Sequence, residues 1–78
     1  MEILEKILVD KLNRKRLVSE FQELIWNSEN ANEILSELAY NLDYYEPNEE
    51  LRKEDSRYYG DDRLEQEVKS AMQKLQEH

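Results

Sequence analysis

The stretch YYEPNEELRKEDSRYYGDD, residues 44–62, gathers most of the chemistry this chain can offer. Asp43 just before it, and Glu46, Glu49, Glu50, Glu54, Asp55, Asp61 and Asp62 within it, are carboxylates; Tyr44, Tyr45, Tyr58 and Tyr59 are four of the chain's five tyrosines. Carboxylates can move protons, hold hard cations or accept paired hydrogen bonds from arginine. The first two uses find little support. Carboxylates at helical spacing occur on almost any acidic helix, and the alternating ligands, central glycine and distant glutamate of a calcium loop are missing. The only histidine is His78 at the terminus, there is no cysteine, and one glycine cannot build a phosphate cradle. The expectation is no enzyme, no metal and no cofactor. A carboxylate-bound Mg²⁺ enzyme is the alternative, and it requires that saturating metal raise the melting temperature.

The third use fits better. Residues 43–67 hold ten acids against four bases, and Arg52, Lys53, Arg57 and Arg63 neutralise at most half of that charge. Crowding like charges costs stability through self-repulsion. Next to tyrosines, which give contact area at small entropic cost, such a patch has the chemistry of a protein-recognition surface. The competing account makes the acids solubilising charge, gives Asp62 and Glu65 to a helix start, and tucks one tyrosine of each pair under the connection with its hydroxyl wet. A formal charge of −8 disfavours direct contact with nucleic acid and favours a basic protein partner.

The elements that must carry this patch read as helices. Ile3, Leu4, Ile7, Leu8 and Leu12 share one face of a first helix ending near Leu12. Asn13 is placed to cap a second, in which Leu17, Phe21, Leu24 and Ile25 repeat and Trp26 and Phe21 belong to the core. Asn30 and Glu33 have capping-box spacing for a third helix carrying Ile34, Leu35, Leu38 and Leu42, with Ala31 and Ala39 as small packing positions. It must stop before Pro47. PNEELRKED can form a short helical turn with Pro47 near its start. Gly60 allows a turn, Asp62 and Glu65 repeat the capping-box spacing, and Leu64, Val68, Ala71, Met72 and Leu75 define the last long helix. The fold expected is all-α: a four-helix antiparallel bundle, up-down-up-down, with a long acidic, tyrosine-rich connection between the third and fourth helices.

Seventy-eight residues make one domain, 1–78, with little surplus stability. No apolar run approaches the roughly 20 residues that span a bilayer, and Met1 leads straight into an amphipathic pattern rather than a signal peptide. The expectation is a cytoplasmic protein without a membrane partner, monomeric or weakly self-associating when free.

LDYYEPNEE followed by YYGDDRLEQEVKSAMQKL resembles the C-terminal half of the immunity proteins that protect bacteria from colicin D-like, tRNA-cleaving toxins. The shared features are an acid three residues before an EP step, further acids after it, a Tyr/Asp-rich turn and a final helix of the form L-x-x-E-V-x-x-x-x-x-K. LEKILVDKLNRKRLVSEFQELI is similar in its two-helix plan. The resemblance implies a bundle that binds a nuclease domain one-to-one and covers its basic substrate cleft. It places Asp43, Glu46 and Glu50 where that family uses acids against the toxin, and Pro47 at the family's proline. Asn48 stands where an acid is expected, with Glu49 beside it, and LRKED lengthens the loop. The full set expected to meet a partner is Asp43, Glu46, Glu49, Glu50, Asp61 and Asp62 with Tyr44 and Tyr58. Together they are expected to form a single fixed face. Replacing Glu46 and Glu50 by lysine is expected to abolish binding and leave the fold intact. The alternative is a small acidic interaction module, self-associating or not, with no toxin partner.

Overall fold

The structure, a computed structural model, describes residues 2–77; Met1 and the terminal His78 lie outside the described residues. The described residues are helical, in the order α1 Glu2–Val9, α2 Arg14–Trp26, α3 Glu33–Asn41, α4 Glu49–Arg52 and α5 Asp61–Glu77, with a 3-10 turn at Leu42–Tyr44. α1 packs on α2, α2 on α3, α3 on α5, and α5 returns to α1. This ring of four longer helices is compatible with a bundle. The long connection carries α4, so the helix expected as the fourth is the fifth in order.

The core follows from the helical repeats, with corrections at the edges. Leu4 and Ile7 are fully buried on α1, whereas Leu12 lies past the helix end and is 98% exposed. Asp10 ends α1 by accepting from the Asn13 backbone N–H at 3.2 Å and from Asn13 Nδ2 at 3.0 Å. Asn13 therefore holds the N-cap position of α2 without its side chain capping it. Its hydrogen bonds keep the Asp10 carboxyl below the ordinary value.

On α2 the buried residues are Arg14, Leu17, Val18, Phe21, Gln22 and Ile25. At about 100° per residue, this arc is centred near Ile25 rather than on Leu17. Leu24 falls just outside it and Trp26 lies off its far edge. The expectation that Trp26 belongs to the core is wrong: it is 56% exposed, and Leu24 is 54% exposed. Phe21 is fully buried.

α3 is capped by Asn32, whose side chain accepts from Ile34 N at 2.7 Å, two residues later than the Asn30–Glu33 box expected. Leu38, Ala39 and Leu42 are buried, and Gln22 Nε2 donates to the Ala39 carbonyl at 3.0 Å. Ile34 and Leu35 pack partly buried against the same core, as do Ala31, Met72 and Leu75, while Leu64, Val68 and Ala71 of α5 are inside it. α4 is capped by Asn48, accepting from Glu50 N at 2.9 Å, so Pro47 stands before the cap and outside the helix. α5 starts at Asp61, with Leu64 N donating to Gly60 O; Asp62 is thus within the first turn and is not its cap.

Candidate protein-interaction surface

The two tyrosine pairs hold the connection together at its ends. Glu46 N donates to Tyr59 O at 2.8 Å and Tyr59 N donates to Tyr44 O at 3.1 Å, an isolated parallel bridge between Tyr45 and Tyr59. Tyr45 is buried and Tyr59 half-buried, so one ring of each pair is inside, as the packing argument requires. Their hydroxyls are not left to water. Tyr45 donates to Asp61 Oδ1 at 2.7 Å, and Tyr59 donates to the Asn41 carbonyl at the end of α3. Burial, with the Asp61 carboxylate behind it, pushes the Tyr45 phenol well above its ordinary value; burial raises that of Tyr59 to about 12.

Asp61 is anchored from a second side by an arginine that sequence reasoning overlooked. Arg14 has no exposed surface. Its Nε donates to Ile7 O at 2.7 Å and its Nη2 to Leu8 O at 2.9 Å, closing the last carbonyls of α1 where a cation suits the helix dipole. Its Nη1 donates to Asp61 Oδ1 at 2.9 Å, and Glu65 lies 3.6 Å from Nη2. The Tyr45 hydroxyl, then Arg14, hold the Asp61 carboxyl below its ordinary value. A signal was available: Arg14 precedes Leu17, Val18 and Phe21 by three, four and seven residues, a cation on an apolar stripe.

The expected recognition residues are divided among separate recesses. Asp43 and Tyr58 line a cleft of about 280 Å³ together with Glu46 and Tyr45, and with Lys15, Leu51 and Glu54, which lie outside the set expected to meet a partner. Asp61 and Asp62 line a separate recess beside Arg52, Gly60 and Arg63. There Gly60 leaves room for the Arg52 guanidinium, since an added Cβ would collide with its Nη1. Tyr44 lies in a third recess, with the Arg57 guanidinium 5.1 Å from its ring centre. Glu49 and Glu50 stand out from α4 and line none of these recesses.

Their ion pairing also differs. Asp43, Glu54 and Asp62 are exposed and take no ion pair among the described residues. Glu49 and Glu50 reach Arg52 at 4.0 Å and Lys53 at 3.4 Å, with both carboxylates open to solvent. Such exposed pairs hold their acids only weakly. Asp55 is held by Arg57, whose hydrogen bonds keep its carboxyl below the ordinary value. Glu46 departs most from expectation: it is buried at 8% exposure, its Oε2 receives Lys15 Nζ at 3.1 Å, and its Oε1 is enclosed without a hydrogen-bond partner among the described residues. It is not a freely displayed acid.

Among the described residues no group of three or more His, Cys, Asp or Glu side chains is placed to hold a metal ion, and no helix is long and apolar enough to cross a membrane. The chain matches no family model, no curated protein and no solved structure.

Proposed function

We propose that this chain is an immunity-type inhibitor that binds a basic tRNA-cleaving nuclease domain through the acids around the α3–α5 connection. The observation that carries the reading is that Asp43, Glu54 and Asp62 lie exposed without an internal cation, and Glu49 and Glu50 are only loosely paired. Uncompensated carboxylates on a fixed connection stand in for the phosphates a tRNA cleft would hold. The likeness of LDYYEPNEE and YYGDDRLEQEVKSAMQKL to the colicin D-like immunity family points the same way. In this reading the four longer helices run up-down-up-down, the protein is cytoplasmic and non-catalytic, and it touches neither nucleic acid nor membrane. Asp61 serves the fold, and Glu46 acts from inside the cleft.

The test is whether the neighbouring reading frame encodes a basic nuclease domain, and whether tRNA cleavage by that domain changes when a stoichiometric amount of this protein is added. Cleavage should stop, and the affinity should fall at least about tenfold between about 50 and 200 mM salt. Unaltered cleavage would overturn the reading. A self-associating module is the second reading, favoured by Val9 and Leu12, exposed at 79% and 98% at the α1–α2 turn. It requires a dimer in sedimentation that is indifferent to the same change of salt.

A further inference from the structure

We infer that the cleft beside α4 is a socket for one arginine side chain of the partner protein. The inference rests on the proposed function and names the group that the acidic surface receives. The cleft has the two parts an arginine needs. Leu51, 41% exposed, and the rings of Tyr45 and Tyr58 offer apolar and aromatic wall for the three-methylene stem and the flat face of the guanidinium. Asp43, Glu46 and Glu54 offer carboxylate oxygens for its fork of five N–H donors.

The independent observation is Glu46 itself. A carboxylate carries about four lone-pair positions, yet at this one Oε2 meets a single ammonium and Oε1 meets no donor group among the described residues. Leaving a buried acceptor unmatched is costly, so the site is incomplete as it stands. Lys15, whose side chain is 64% exposed, is a replaceable occupant: its ammonium is a point charge that serves one oxygen. The last torsion of a glutamate is broad, so the carboxylate plane can turn towards an incoming guanidinium at little cost. A bidentate guanidinium then satisfies both oxygens and releases Lys15 to solvent. Charge decides the occupant, since three acids against one displaceable lysine reject an anion and leave a neutral side chain with an unmatched carboxylate.

The test titrates the protein with the end-blocked tripeptide Gly-Arg-Gly and follows backbone amide resonances. Gly-Lys-Gly and Gly-citrulline-Gly serve as comparisons. Saturable shifts should be confined to residues 15, 43–46, 51, 54 and 58, with arginine at least about threefold tighter than lysine and no saturation by citrulline. Glu54→Gln and Tyr58→Ala, both at exposed positions, should each weaken the arginine peptide while leaving the folded spectrum intact. Lys15→Met should keep or strengthen it. Equal response to lysine, shifts spread over all acidic residues, or loss of binding in Lys15→Met would each overturn the socket. The probe needs no toxin, so a failed titration with tRNA cleavage still inhibited removes the socket alone. An occupied socket with cleavage unaffected removes the immunity reading instead.

Discussion

Arg14 shows how one side chain can join three parts of this chain. It finishes α1 through two carbonyls, sits on the core arc of α2, and meets the first residue of α5. Removing it as Arg14→Ala should cost about 2–4 kcal/mol, because the α1 carbonyls lose their donor and Asp61 its partner. Urea unfolding measures this, and a loss under about 1 kcal/mol would mean the network contributes little. Arg14→Lys should fall between, since an ammonium cannot serve Ile7, Leu8 and Asp61 in the same fixed plane. Glu46 corrects an expectation at the same scale. Lysine there would bury a second ammonium against Lys15, so Glu46→Lys with Glu50→Lys should lower the melting temperature as well as binding. Reversal at Glu49 and Asp62 is the cleaner test of the surface, and those variants should melt at or slightly above the parent in differential scanning fluorimetry.

At the scale of elements, the helices were legible because leucine and valine repeat at turns of the helix, and of the α5 pattern Leu64, Val68 and Ala71 are buried while Met72 and Leu75 are partly so. Leu38→Ala or Leu64→Ala should therefore cost about 2–5 kcal/mol, whereas Leu12→Ser should change stability by less than about 0.5 kcal/mol. Comparing their chemical denaturation midpoints tests both assignments. What pattern alone could not place was the edge of each face and the direction of polar side chains. Leu24 fits the α2 repeat as well as Phe21 does, and only the neighbouring helices decide which is covered. Glu46 reads like any other acid in its stretch, yet the backbone bridge to Tyr59 turns it inward.

That bridge also sets the pH limits. Tyr45 and Tyr59 have phenol values above 10 in the folded state, so their contribution is fully present below pH 10 and is lost as pH rises beyond it, towards about 12 for Tyr59. Asp61 titrates below its ordinary 3.8, so its contribution is present above that value and lost as pH falls through the lowered one. Stability from urea titrations should be flat in between, and Tyr45→Phe should remove part of both flanks.

For the whole molecule, a net charge of −8 on 78 residues opposes compactness and invites a cationic partner. Moderate salt should accordingly raise the melting temperature of the free protein while weakening its complex, because screening relieves repulsion in one and attraction in the other. A melting temperature that falls with salt would show that surface ion pairs outweigh the repulsion. The crowding of acids and tyrosines into one connection was legible in the sequence, but the division of the acids among separate recesses was not. It depends on where α4 and the two tyrosine pairs set the backbone.

The pairing of residues 44–46 with 59 has a bearing on how such a protein can diversify. Because the two stems of the segment are stapled side by side, the stretch between them behaves as an exchangeable cassette. Insertions or swaps from Pro47 to Ser56 need not be transmitted to the helices beneath. A lineage could rewrite the charge pattern of that cassette while keeping the scaffold unchanged.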